Sequence, residues 1–221
     1  MEGGIYGMEE NKFSKRYKIT NEVLNAVTHG IGFGLSIAGL VILLVKGARL
    51  QSAIHIVSYA LFGSGLILLF LMSTLYHSLI FTKARKVFRI FDHSFIFVLI
   101  AGSYTPYCLL AIRGVLGWGL FIAIWVMAIL GVIYKAIWLE KSSKISTVIY
   151  LIMGWLVVFA IRPLYVNIGF HGILYLVLGG LFYTVGAFFY SKKHVKFMHV
   201  VWHLFVLFGA MMMYFSVLFY T

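Results

Sequence analysis

The chain has 221 residues, of which 62% are hydrophobic and 11% are charged, and its mean hydropathy is +1.00. Soluble domains carry about 25% charged residues, so this composition excludes a soluble globule and indicates an integral membrane protein. The net charge of +12 indicates membrane topology rather than nucleic-acid binding, because the basic residues lie in short segments between apolar runs. The single cysteine, Cys108, excludes an internal disulfide and a cysteine-based metal cluster.

A polar tail over residues 1–21 comes first, and it lacks the apolar core of a cleavable signal peptide. Residues 22–221 form the predicted transmembrane domain, with seven apolar segments of roughly the 20 residues that cross a bilayer. The predicted spans are residues 22–46, 53–81, 88–112, 115–138, 145–166, 170–191 and 197–220. The breaks between them are too short to separate domains, so the sequence predicts an all-α bundle of seven transmembrane helices.

Lysine and arginine residues are distributed unequally between the two sides of this bundle. The tail and the second-to-third, fourth-to-fifth and sixth-to-seventh breaks, together with Arg89 and Lys135 near the ends of the adjoining spans, hold 14 of the 18. The opposite side holds Lys46, Arg49, Arg113 and Arg162. The positive-inside rule therefore predicts a cytoplasmic N-terminus and an extracytoplasmic C-terminus, in a multi-pass protein of the cell membrane.

Several ionisable side chains lie inside the predicted spans, where each costs about 2.5–3.5 kcal/mol at the helix centre. His77 ends the second span, Asp92 begins the third, and His199 and His203 begin the seventh. From a rise of 1.5 Å per residue, all four lie about 5–10 Å inside the cytoplasmic edge. The sequence thus places them in one layer.

The three histidines of this layer are candidate metal ligands. His199 and His203 are spaced i, i+4, which stacks two imidazoles on one helix face, although such a pair alone is more typical of histidines bonded to water or backbone. His77 at the same depth adds a third imidazole. Three imidazoles with an open position are the ligand set of a catalytic zinc site, so we predict bound Zn²⁺.

Asp92 and Ser73 are candidate catalytic residues. Asp92 either pairs with Arg89 one turn earlier, or orients the water on the metal and accepts its proton. Ser73 lies one turn before His77. Its hydroxyl either bonds its own i−4 carbonyl, or contacts an imidazole, the bound water or a substrate carbonyl.

A polar stripe on the first span consists of Glu22, Asn25 and His29. The stripe either supports the metal site by hydrogen bonds or provides His29 as a fourth ligand or proton carrier, and an interfacial helix cap is the alternative for Glu22 and Asn25. The remaining histidines are expected bystanders: His55, His93, His171 and His194.

The third span contains Tyr104, Thr105 and Pro106. Proline removes a backbone donor and kinks a helix, and hydroxyls can satisfy the freed groups. We expect this kink to widen a cavity above the metal, which a lipid chain or fatty acid could occupy.

These motifs resemble the hemolysin III family, bacterial relatives of the progestin and adiponectin receptors within the alkaline-ceramidase-like superfamily. The resemblance rests on NEVLNAVTHGIG at residues 21–32, Ser73-x-x-x-His77, Asp92 early in the third span, and His199-x-x-x-His203. It covers nearly the whole chain.

The resemblance implies a seven-helix bundle with the N-terminus inside and zinc held by His77, His199 and His203. It further implies that Asp92 contacts the zinc through water and that Ser73 lies beside the site. The superfamily chemistry that it implies is hydrolysis of a lipid amide such as that of ceramide.

The leading hypothesis is a zinc-dependent intramembrane hydrolase of a lipid amide or ester, with zinc-bound water as nucleophile and Asp92 as base. The alternative is a membrane-active cytolysin or a receptor-like sensor of membrane lipid state, with a structural zinc. A retinal-type pigment is disfavoured because every lysine lies near a span end. A proton or cation transporter ranks third because the cluster lies at one face rather than along a path.

Overall fold

The computed structural model describes residues 13–138, 143–192 and 194–221, which are helical with no strand among them. The helices are α1 (Lys15–Arg49), α2 (Ala53–Ser78), α3 (Arg85–Pro106), α4 (Gly114–Trp138), α5 (Ser143–Trp155), α6 (Ile161–Ser191) and α7 (Met198–Tyr220). A π-helical segment, Tyr107–Ile112, follows α3, and a 3-10 segment, Leu156–Ala160, follows α5. Six helical stretches in the described part are long and apolar enough to cross a membrane, which confirms the all-α prediction and a multi-pass membrane protein.

The first helix begins earlier than the first predicted span. Ser14 caps it, since its Oγ accepts a hydrogen bond from the backbone N–H of Tyr17 at 3.2 Å, as N-cap serines do. The helix therefore includes the end of the predicted polar tail, and Glu22 lies two turns inside it rather than at its cap.

The stretch Ile145–Ser191 is 47 residues long and contains a chain reversal. Gly169 has φ 66° and ψ −176°, a backbone conformation that is essentially restricted to glycine. Trp155 Nε1 donates to Thr184 Oγ1 at 3.0 Å across 29 residues of sequence, which a straight helix would separate by about 44 Å. The chain therefore turns back at Gly169, and its two arms pack side by side.

Glycines bring the helices around the site into close contact. A Cβ at Gly32 of α1 would lie 2.7 Å from the Phe70 ring of α2, and one at Gly131 of α4 would lie 2.5 Å from the Phe97 ring of α3. Small residues allow such approaches between membrane helices. These contacts fix the register of α1 on α2 and of α3 on α4, and so the depth of the polar side chains that follow.

Candidate metal centre

Three histidines from two helices converge at one end of the bundle. His77 comes from the last turn of α2, and His199 and His203 come from the first two turns of α7. One ring nitrogen of each lies within 4.8 Å of the others, and the ring centroids are 4.7 to 5.1 Å apart. His77 and His203 are 3% and 2% exposed. These three side chains could hold a metal ion.

The hydrogen bonds of two of these rings leave their Nε2 atoms directed to the common centre. His77 Nδ1 donates to Glu22 Oε2 at 2.7 Å, and its buried Nε2 has no hydrogen-bond partner among the described residues. His203 Nδ1 lies 3.3 Å from the backbone oxygen of Asn25. Because carboxylate and carbonyl oxygens only accept, each Nδ1 carries a proton, and in the neutral ring each Nε2 then keeps its lone pair.

This donor set fits a metal ion such as Zn²⁺. His203 Nε2 lies 3.1 Å from His199 Nε2, close to the separation of about 3.4 Å between two ligands of tetrahedral zinc. Imidazole ligands suit zinc, copper, iron and nickel better than magnesium or calcium. The unpartnered Nε2 of His77 is the kind of buried polar atom that a ligand would satisfy.

Glu22 connects His77 to the N-terminal end of α3. Its second oxygen, Oε1, accepts from Arg85 at 2.9 Å, and the Arg85 guanidinium lies 5.1 Å from the centre of the Tyr76 ring. Glu22 itself is 16% exposed. The carboxylate is held from both sides, which fixes the orientation of the His77 ring.

The start of α7 is fixed by α1. Phe197, two residues before His199, has φ 62°, an unusual conformation for a bulky residue. Its backbone N–H donates to the Tyr17 hydroxyl at 3.0 Å, and its ring packs edge-on against Tyr17. This contact fixes the position of His199 along the bundle axis.

His29 packs on the histidine cluster without joining it. Its ring stacks on His203 at 3.6 Å with an interplanar angle of 8°, so the two ring planes are parallel and offset, and an ion in the plane of His203 would lie outside the plane of the His29 nitrogens. Within the described part of the chain, both its ring nitrogens and both side-chain polar atoms of Asn25 are buried without partners. The geometry favours packing support over the fourth-ligand interpretation of His29.

Asp92 and Ser73, the candidate catalytic residues, differ in their relation to the cavity beside the histidines. Asp92 lines the same cavity as His199 and His203, and its ion-pair contact among the described residues is with His93 Nδ1 at 3.5 Å rather than with Arg89. Ser73 is fully buried, and its hydroxyl makes no hydrogen bond to the described residues. The i−4 bond that would have tied Ser73 to its own helix is therefore not formed.

An apolar cavity of about 130 Å³ leads from this end of the bundle into its interior. His199, His203 and Asp92 line one part of it, and Trp155 and Met213 line another. The cavity places His199 and His203 beside a space whose walls match a hydrocarbon chain.

The sequence matches one protein family along most of its length. The sequence model described as Haemolysin-III related matches residues 17–214. This chain belongs to that family. Hemolysin-3 of Bacillus cereus is 47% identical over 203 residues, covering 92% of this chain and 93% of that protein. The Hemolysin-3 homolog of Bacillus subtilis (strain 168) is 45% identical over 204 residues, covering 92% and 96%.

A human protein is also similar to this haemolysin-III related chain. Monocyte to macrophage differentiation factor of Homo sapiens is 32% identical over 163 residues, covering 71% of this chain and 67% of that protein. The family predicted from the histidine, serine and aspartate motifs is thus confirmed.

Two cavity residues of this family member were not expected at the site. His93, an expected bystander, contacts Asp92 and lines the cavity. Lys135, counted with a loop by its charge, lies in α4, is 1% exposed and lines the same cavity. The other expected bystanders His55, His171 and His194 do not line it. Lys135 differs from a loop lysine because it lies on the side of α4 that faces α3. The sequence near the end of a span does not show which side of the helix faces its neighbour.

Proposed function

We propose that this protein is a metal-dependent intramembrane hydrolase of a lipid amide or ester, with Zn²⁺ as its metal. The observation that carries the proposal is the convergence of the buried His77 and His203 with the half-buried His199, two of which, His199 and His203, line an apolar cavity. Three imidazoles leave a coordination position for water or substrate. The cavity would hold the acyl chain of a membrane lipid or the fatty acid product.

The three histidines would hold the ion, which when bound activates water and polarises a carbonyl group. Glu22 keeps the His77 ring oriented. The attacking water gives its proton to the Asp92 carboxylate as its oxygen bonds to the carbonyl carbon. Asp92 then returns the proton to the leaving amine or alcohol, and a fatty acid remains. The Ser73 hydroxyl donates a hydrogen bond to the carbonyl oxygen.

The proposed topology has seven spans, a cytoplasmic N-terminus and an extracytoplasmic C-terminus. The turn at Gly169 supports the count, because it divides a 47-residue stretch into two arms that each match a bilayer of about 30 Å. The distribution of basic residues supports the orientation. The histidine cluster then lies near the cytoplasmic face.

The test is fatty acid release by purified protein from ceramide and other lipid amides and esters, measured by mass spectrometry. We expect release by the wild type, and loss of at least about 100-fold in Asp92→Asn with unchanged metal content. Arg89→Gln, which alters an exposed side chain on the same helix, is the matched control. A fully metal-loaded wild type that cleaves none of these lipids would contradict the proposal.

A second candidate function is a membrane-active cytolysin or lipid sensor with a structural metal. The name of the Bacillus cereus relative, Hemolysin-3, favours it. This function predicts that wild type and Asp92→Asn release a dye from phospholipid vesicles equally, without fatty acid release. Intact vesicles would exclude the cytolysin.

A further inference from the structure

We propose that Tyr107 and Tyr183 form a polar subsite inside the cavity, so that the lipid held there carries a hydroxyl or oxo oxygen along its chain, away from the reacting carbonyl. This inference rests on the proposed function, because it specifies the lipid that occupies the same cavity. It concerns binding, which can be measured apart from cleavage.

Two tyrosine hydroxyls are buried at the cavity without a hydrogen bond. Tyr107 and Tyr183 both line the cavity, and neither hydroxyl has a hydrogen-bond partner among the described residues. Tyr107 is 2% exposed, so bulk solvent does not satisfy it. A buried hydroxyl without a partner is costly. In a ligand cavity, the few polar groups on an otherwise apolar wall typically pair with polar atoms of the ligand.

A third tyrosine of the same cavity shows how such a hydroxyl is satisfied within the protein. Tyr104 also lines the cavity, but its hydroxyl donates to the backbone oxygen of Met153 at 2.7 Å and accepts from the backbone N–H of Val157 at 2.7 Å. The hydroxyls of Tyr107 and Tyr183 form no comparable bond in the described part of the chain. Phenylalanine would therefore fill the space at these two positions equally well.

Ser216 of α7 does not supply the missing partner. Its side chain lies close to the Tyr107 hydroxyl, but the two groups do not form a hydrogen bond. The Ser216 hydroxyl instead donates its proton to the backbone oxygen of Gly172 at 2.9 Å. The capacity of Tyr107 to donate a hydrogen bond is therefore left for a ligand.

Local features of the chain place both rings on the cavity wall. Tyr107 is the first residue of the π-helical segment that follows Pro106, and single π-helical turns occur frequently at functional sites. Tyr183 lies on α6, and a Cβ at Gly209 of α7 would lie 2.7 Å from its ring. The glycine thus leaves the space in which the Tyr183 ring lies.

The subsite lies deeper in the bundle than the histidines. α6 ends at Ser191, α7 begins at Met198, and the two helices pack together, so they run in opposite directions. Gly209 lies six residues beyond His203, about 9 Å along the helix axis. Long side chains point back towards the N-terminus of their own helix, which for Tyr183 is away from His203. A lipid whose carbonyl lies at the histidines would therefore meet this hydroxyl well along its chain.

The experiment measures equilibrium binding of radiolabelled fatty acids to the purified protein in detergent. The probes are stearic acid, 10-hydroxystearic acid, 12-hydroxystearic acid and 10-oxostearic acid, which share chain length and carboxylate. We expect the wild type to bind at least one oxygenated probe about tenfold more tightly than stearic acid, because stearic acid leaves the tyrosine hydroxyls unpaired. Comparison of the hydroxy and oxo acids separates the two oxygen chemistries.

Replacement of each tyrosine by phenylalanine removes the hydroxyl and keeps the ring. The double variant Tyr107→Phe, Tyr183→Phe should bind all four probes equally, and saturable binding of stearic acid shows that it is folded. Neither single variant should lower the thermal midpoint of the lipid-free protein, since each removes an unpaired hydroxyl. The matched control is Tyr104→Phe, which should keep the preference for the oxygenated probe but lower the midpoint, because it breaks hydrogen bonds to the backbone.

Three results would overturn the inference. The first is equal binding, or no saturable binding, of all four probes by the wild type. The second is a preference that survives in the double variant. The third is a loss of thermal midpoint in both single variants as large as that in Tyr104→Phe, which would show that the hydroxyls bond within the protein. A protein that cleaves no lipid but keeps a preference dependent on these tyrosines would refute the hydrolase and retain this subsite.

Discussion

Glu22 controls the ring of one candidate ligand, His77, from a different helix. It accepts from His77 Nδ1 at 2.7 Å and from Arg85 at 2.9 Å. Such outer contacts typically change metal affinity by 10- to 100-fold. We predict that Glu22→Ala weakens Zn²⁺ binding by about 100-fold and that Glu22→Gln, which keeps an acceptor oxygen, weakens it by about tenfold. Competition with a zinc-binding dye measures both, and wild-type affinity in Glu22→Ala would contradict this role.

His29 provides a second test at the residue level. Its ring stacks on His203, and its nitrogens bond to none of the described residues. Because packing requires the ring rather than the nitrogens, His29→Phe should retain both metal and stability. His29→Ala should leave a cavity and lower the stability by about 2 kcal/mol or more, measured as a lower thermal midpoint in detergent. Loss of metal in His29→Phe would instead indicate that a nitrogen is required.

The sequence predicted the three histidines but not the residues around them that fix their positions. The i, i+4 spacing of His199 and His203 and the matched depth of His77 are properties of single helices, so they can be derived from sequence and rise per residue. The contact between Glu22 and His77 spans 55 residues and depends on how α1 packs on α2. The position of Lys135 depends on the rotation of α4 about its own axis. Because α4 is apolar on all sides, its hydrophobic pattern does not predict that rotation.

At the level of the elements, the turn at Gly169 decides how the chain is divided into spans. Both Gly169 and Gly34 have open space where a Cβ would lie, but only Gly169 has positive φ. Gly169→Ala should therefore destabilise the protein by about 1–3 kcal/mol through backbone strain. Gly34→Ala is the matched control in a regular helix, where alanine is favoured over glycine. Equal thermal midpoints for the two variants would contradict a required turn at Gly169.

Some helix boundaries could be predicted from the local sequence and others could not. The break at Arg113 and Gly114 was predicted from polarity, and both residues have positive φ there. The extension of α1 to Lys15 was not predicted, because the hydropathy that defines a span does not report a polar helical turn beyond it. Ser14 as N-cap was the available signal for that extension.

At the scale of the whole molecule, the proposed orientation can be tested with single cysteines. Cys108 is the one cysteine of the chain and is buried, so Cys108→Ser provides a background without accessible thiols. We predict that Lys83→Cys reacts with a membrane-impermeant maleimide only after cells are opened. Val166→Cys, an exposed position next to the turn at Gly169, should react on intact cells. The reverse pattern would contradict the proposed topology.

The histidine trio depends on the packing of three helices, because α1 packs against both α2 and α7 and so brings His77 to His199 and His203. The most direct test is the metal content of detergent-purified protein, measured by elemental mass spectrometry. We predict about one zinc per chain in the wild type and in His55→Ala, whose ring lies at the start of α2 beside Ser52. His77→Ala and His199→Ala should contain almost none. A wild type without metal, or variants that retain it, would contradict the metal site on which the proposed chemistry depends.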